Sequence, residues 1–226
     1  MNWQSPQGME EYLRPTIYCE SDNTEIRQTA LTLIKEAETP QDAALKIFLF
    51  VRDEMLFGLD EHTKASQTLR RKTGQCVTKS TLQIALLRAA EIPARYHRVD
   101  VHKNCLKGLI SPVVFNQFAD TIEDHPWCDC YLSGRWIACE TLFDRTLYES
   151  AARQGIVDRN QITTIDWDGE RDLLTLSAWI LKDKGTCPDM DDLIERNRRD
   201  FAQFWQLCRE LSQYTMNVRA GSYLSQ

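Results

Sequence analysis

The sequence predicts an α+β fold in which an apolar helix packs on an antiparallel β-sheet, with extra helices at both ends. Three observations carry this reading. Residues 77–90 place Leu82, Ala85, Leu86 and Ala89 three to four positions apart, with Ile84 and Leu87 widening the apolar surface, so this helix is buried on most sides. Residues 127–132 and 135–140 read as strands joined by Ser133-Gly134, a short hairpin signal. Helical patterns precede and follow both. The length of 226 residues suits a single domain over 1–226, large enough to bury a substantial core.

Taken in order, residues 1–22 are irregular, with Pro6, Gly8 and Pro15. Asn23-Thr24 can cap a helix reaching about Glu38, with Ile26, Ala30, Leu33 and Ile34 at helical spacing. Thr39 is a good N-cap for a second helix, Pro40 suits its first position, and Asp42 supports the dipole. Ala44, Ile47, Phe48, Val51 and Met55 form its apolar stripe, and Gly58 ends it. A short helix is expected around 65–71. Ile92-Pro93 stops the buried helix, and 94–101 read as a strand. Residues 102–124 are expected to form a long loop with a helical turn. Beyond the hairpin, 170–182 and 189–213 read as helices separated by Gly185 to Pro188.

Composition narrows the function classes. The formal charge is −6, and the basic clusters at 70–72 and 196–199 are short and neighboured by acids, so no nucleic-acid partner is expected. The N-terminus has neither a basic start nor an apolar stretch, and no segment is apolar over a bilayer's width, so neither a signal peptide nor a membrane partner is expected. The default location is cytoplasmic, where eight cysteines read as thiols rather than a disulfide framework. Cys128, Cys130 and Cys139 could share a strand face as a soft-metal cluster, but no fourth ligand is evident; small buried hydrophobes are the plainer reading.

One cysteine stands apart. Cys76 begins the buried helix, preceded by Gly74, where unpaired N–H groups and the helix dipole favour a thiolate. The same N–H groups could receive the oxyanion of a tetrahedral intermediate. The hairpin register supplies partners. With Ser133 and Gly134 as the loop, Leu132 faces Arg135, Tyr131 faces Trp136, and Trp127 would face Glu140. His125, Trp127, Trp136, Ala138 and Glu140 then share one face, with His125 and Glu140 as diagonal neighbours. Cys128, Cys130, Leu132, Ile137 and Cys139 take the opposite, core face. A carboxylate beside an imidazole fixes its tautomer and stabilises its charged form. A three-residue loop would shift this register and undo the argument.

These blocks resemble the transglutaminase-like superfamily, whose core is papain-like. Gly74-Gln75-Cys76 followed by Leu87-Arg88-Ala89-Ala90-Glu91-Ile92-Pro93-Ala94-Arg95 looks like its nucleophile segment. His125-Pro126-Trp127 resembles its histidine strand, and Trp136 to Thr141 the strand ending in its third triad member. The resemblance covers about 43–145, leaving about 146–226 as a C-terminal helical extension. It implies Cys76 as nucleophile, His125 as general base and acid, and Glu140 as the group that orients His125. The family usually has aspartate at the last position; Asp144 and Asp129 are the fallbacks. Trp127, His97 and Gln75 are candidate substrate contacts, whereas Arg95 reads as a structural salt-bridge partner.

The expected activity is acyl-enzyme chemistry on an amide, ester or thioester, by hydrolysis or by transfer to an amine, with no metal or organic cofactor. A small molecule or peptide, or a carrier-bound thioester, would supply the acyl group. The rival reading is an inactive binding module on the same fold.

Overall fold

The computed structural model describes residue 3, residues 5–61 and residues 63–222. His62, expected in a polar loop, and most of the first four residues lie outside that set.

Helix α1 (Thr24–Leu33) starts on the Asn23 side chain, which accepts the Glu25 and Ile26 N–H groups. It ends several residues before the expected Glu38. Helix α2 (Pro40–Glu54) is capped by Thr39, whose hydroxyl accepts the Asp42 N–H. It stops before Gly58, because Met55 turns extended and Leu56–Phe57 forms β1. After α3 (Ala65–Arg71), the short strand β2 (Thr73–Gly74) pairs parallel with β1 and delivers the chain to α4 (Cys76–Ala89).

The main sheet has the order β5-β4-β3-β6 and is antiparallel throughout: β3 (Ala94–His102), β4 (Thr121–Leu132), β5 (Arg135–Ala138) and β6 (Ile180–Cys187). The hairpin register is Leu132 to Arg135, Tyr131 to Trp136, Cys130 to Ile137 and Asp129 to Ala138. Ser133 and Gly134 both lie at positive φ (50° and 84°), as a two-residue primed turn requires. The 102–124 loop is shorter than expected. It holds a 3₁₀ turn (Lys103–Leu106) and α5 (Pro112–Phe115), and residues 121–126 already belong to β4.

Two corrections concern the C-terminal part. A helix, α6 (Arg145–Arg153), follows the hairpin, capped by the Asp144 carboxylate on the Leu147 N–H. Residues 170–182 are not helical: they run extended past Glu140, make one 3₁₀ turn (Ser177–Trp179) and enter β6. The extension therefore contributes an edge strand to the main sheet as well as helices. The expected 189–213 helix is divided into α7 (Asp191–Asp200) and α8 (Ala202–Glu210), followed by α9 (Gln213–Arg219).

Each sheet face has its own core. Cys128, Cys130, Leu132, Ile137 and Cys139 pack with α4, α1 and α2. Val99, Val101, Trp127 and Ala138 pack with Leu106, Phe143, Leu147 and Trp205. The second face is thus covered by the C-terminal part rather than open. Among the described residues, no helix is long and apolar enough to cross a membrane.

Candidate active site

Helix α4 starts where it does because Gln75 caps it. The Gln75 Oε1 accepts the Val77 N–H at 2.8 Å, and Thr78 Oγ1 accepts the Gln75 N–H at 3.0 Å. Gly74 is demanded by space rather than by φ. A Cβ there would stand 2.6 Å from Thr78 Oγ1 and 3.0 Å from Lys79 Cγ. Cys76 is therefore the first helical residue, half-buried between the two cores, with its thiol donating to Gln75 Oε1 at 3.2 Å.

The same helix fastens the two strands that face it. Ser80 Oγ donates to the Pro126 carbonyl at 3.3 Å, next to His125. Gln83 Nε2 donates to the Cys139 carbonyl at 3.0 Å, and Gln83 Oε1 accepts from Thr141 Oγ1 at 3.0 Å, bracketing Glu140. Cys76, Ser80 and Gln83 are spaced i, i+4, i+7, so one helix face carries the thiol and both fasteners. These buried polar residues are why α4 lacks a polar side: Thr78, Lys79, Ser80, Thr81, Gln83 and Arg88 are all buried within it.

His125 Nε2 lies 2.8 Å from Glu140 Oε1, with both side chains under 5% exposed. The other Glu140 oxygen, Oε2, accepts backbone N–H groups of Thr175 at 2.5 Å and Leu176 at 3.3 Å. Since Glu140 occupies Nε2, Nδ1 is the ring nitrogen left to face Cys76. Burial on its own would lower the His125 pKa. The charge and hydrogen bond of Cys76, then Glu140, outweigh it and raise the value well above that of a free imidazole.

The fallback carboxylates are engaged elsewhere. Asp144 caps α6, accepts the Phe57 N–H at 2.8 Å and pairs with Arg219 at 2.8 Å, which holds its pKa down to about 2 against burial. Asp129 takes the Trp127 indole N–H at 2.9 Å and the Arg95 guanidinium at 3.2 Å. Of the candidate substrate contacts, Gln75 is beside the thiol, whereas Trp127 is buried and stacked on His97 at 4.5 Å. His97 itself is tied to Asp183 at 2.9 Å and approaches Asp129 at 3.5 Å. Cys128, Cys130 and Cys139 meet on the core face, with the Cys130 and Cys139 sulfurs 3.8 Å apart; among the described residues no group of three or more His, Cys, Asp or Glu could hold a metal.

Sequence reasoning missed the 173–176 segment, which supplies the Glu140 N–H donors, and the fasteners Ser80 and Gln83. The signal for the fasteners was available: polar residues at i+4 and i+7 from the cysteine in an otherwise apolar helix.

Residues 27–141 match the transglutaminase-like superfamily. A solved structure of a candidate cysteine protease from Cytophaga hutchinsonii aligns with a TM-score of 0.52 at 21% identity, over 83% of this chain and 49% of that one. A candidate protease from Parabacteroides distasonis aligns with a TM-score of 0.40 at 13% identity, over 57% of this chain and 24% of that one. The first likeness supports the fold; the chain spans about half the length of that protein. The comparison with curated proteins returns no match.

Proposed function

The chain belongs to the transglutaminase-like superfamily, and from that premise we propose that it is a cysteine-dependent enzyme. In this reading Cys76 attacks an amide, ester or thioester carbonyl, and His125 and Glu140 assist. The observation that carries the reading is the buried His125–Glu140 contact of 2.8 Å on the strand facing a helix-start cysteine. A buried imidazole and carboxylate are costly to keep unless paired, and the paired imidazolium stabilises a thiolate at its other nitrogen.

The chemistry follows from the partners. The Cys76 thiolate adds to the carbonyl carbon, and the carbonyl electron pair moves to oxygen. On collapse, the bond to the leaving group breaks and His125 gives that group a proton. The thioester left on Cys76 is then cleaved by water or by an amine, with His125 taking the proton of the attacking group. Glu140 holds the ring orientation through both steps.

Alkylation by iodoacetamide across pH, read at each cysteine by peptide mass spectrometry, tests this. Cys76 should label quickly at about pH 6–7, where a free thiol of pKa about 8.5 is slow. His125→Ala should remove that advantage, and Cys76→Ala should abolish acylation by an activated ester while leaving the melting temperature nearly unchanged. Labelling of Cys76 no faster than the half-buried Cys187 would end the reading and leave a binding module on this fold.

A further inference from the structure

Strand β4 carries one residue more than its partner just before His125. Opposite β3, His125 pairs with Val99 and Ile122 with Val101, so two steps along β3 are matched by three along β4. Glu123 and Asp124 together face Asp100, which makes a β-bulge. Its effect is one of parity. Side chains alternate along a strand, so residues 122 and 125 of a regular strand point to opposite faces. Across the bulge, Ile122, His125 and Trp127 all turn to the face that carries Val99 and Val101.

The bulge is clamped. Asp124 lies at φ 56°, left-handed backbone that a non-glycine residue adopts at a cost. Its N–H donates to Asp100 Oδ1 at 3.1 Å. Lys184 reaches in from β6, with Nζ 3.1 Å from the same Asp100 oxygen and 3.2 Å from Asp124 Oδ1. Arg98 Nη1 donates to Asp124 Oδ1 at 3.3 Å. The Asp100 and Asp124 side chains are only 12% and 15% exposed, so water screens these contacts weakly. Lys184 is itself the extra residue of a second bulge, because Arg98 pairs with Gly185 and Val99 with Asp183. Two bulges on the strands flanking β3 therefore meet at Asp100, and one cluster of side chains ties β6, β3 and β4 together next to His125.

We propose that Asp100 and Lys184 are positioning residues for His125, holding the β4 bulge that sets the imidazole between Glu140 and Cys76. This rests on reading His125 as the acid–base partner of Cys76. Both residues act through the backbone of Asp124, whose peptide leads directly into His125. A change of conformation there swings the ring away from its 2.8 Å contact with Glu140.

The test reads the ring itself. The imidazole of His125 is followed by nitrogen NMR across pH in the whole chain, assigned with His125→Ala, while p-nitrophenyl acetate measures acylation of Cys76. The titratable groups that act on the ring are Cys76 from α4 and Glu140 beyond β5, and the variants leave both in place. Asp100→Ala and Lys184→Met each remove one arm of the clamp; the second lies on the edge strand, where loss of the fold is not expected. Each should move the His125 titration down toward that of a free imidazole by about one pH unit, a tenfold weaker hold on the ring proton. Each should also slow acylation by about 10-fold. Adding Asp124→Gly to Asp100→Ala should bring both readouts to within about threefold of wild type, because glycine takes positive φ without a clamp. A residue that only stabilises the sheet would lower the melting temperature and leave the ring's titration alone. An unchanged His125 titration in both single variants would therefore overturn the proposal, as would a loss that Asp124→Gly does not rescue. Failure of the underlying reading looks different: the ring would respond as stated, while Cys76 of wild type would show no acylation.

Discussion

The two faces of β4 are equally dry and chemically opposite. On the core face, Cys128, Cys130 and Cys139 meet one another, and burial pushes all three thiols up from their ordinary pKa, the last two far up. Their mutual contacts join neutral groups. On the other face, His125 is buried as deeply, yet its pKa rises because Cys76 and Glu140 stand beside it. Desolvation acts against charge on both faces; only the second supplies partners that outweigh it. Burial alone therefore makes an inert cysteine, and burial beside a complementary pair makes a candidate nucleophile. The difference lies in position: Cys128 and Cys130 sit within β4 and Cys139 directly follows β5, whereas Cys76 sits at a helix start.

The sharpest way to break this contrast is to compare thiol reactivity across the sheet. In the folded protein, Cys130 and Cys139 should alkylate at least ~1,000-fold more slowly than Cys76, because reaction requires both opening and deprotonation. In denaturant, the rates should converge. Comparable rates in the native state would mean that the core face is not closed, and the comparison would fail.

Next in size is Glu140→Gln. The carboxylate divides its oxygens between His125 and the Thr175 and Leu176 N–H groups. An amide has one acceptor oxygen, so its NH2 must point either at those N–H groups or at the ring. Acylation of Cys76 should fall by about 100-fold, with a lower melting temperature. Wild-type acylation in Glu140→Gln would show that the charge on this residue does not matter to Cys76.

How much of this was legible in the sequence follows from the range of the interactions. The hairpin and its register depend on two turn residues and a period of two, all local, and they were readable. So was the α4 start near Cys76, from Gly74 and the apolar pattern, whereas the cap made by Gln75 and Thr78 was not read. The helix expected at 170–182 was not, because Leu173, Leu174 and Leu176 have helical spacing but are used by partners far along the chain. Leu173 exchanges backbone hydrogen bonds with Ala138 and Glu140, which holds the segment extended. The edge strand β6 carries Lys182 and Lys184, which suit an exposed sheet edge and dilute any strand pattern. The start of β4 at Thr121 was hidden in the same way by Glu123 and Asp124.

Lys79 extends the comparison to the core side of α4. Its ammonium is fully buried and donates to the Arg52 and Met55 carbonyls at 3.1 and 2.6 Å. Burial lowers its pKa to about 7, although Asp144 and Asp53 pull it upward. The folded value is below the unfolded one of about 10.4, so between those values the unfolded chain binds more protons and stability rises with pH. Replacing Lys79 with Met should remove that rise. Relative to Lys79→Met, wild type should gain roughly 2–3 kcal/mol between pH 7 and 9.5 by urea unfolding. A constant difference would mean that Lys79 keeps its charge and that this side tolerates one.

The smallest expected effect concerns the link between the faces. Ser80 Oγ donates to the Pro126 carbonyl from the same helix face as Cys76, so it sets the distance from the thiol's helix to the histidine's strand. Ser80→Ala should cost about 1 kcal/mol of stability and slow Cys76 acylation a few-fold. Burial of the core thiols does not depend on this bond, so their alkylation should stay slow. A loss confined to stability would make Ser80 a packing residue only; a loss in both, with the core thiols still silent, would place the pairing of Cys76 with His125 under the control of one helix-to-strand hydrogen bond.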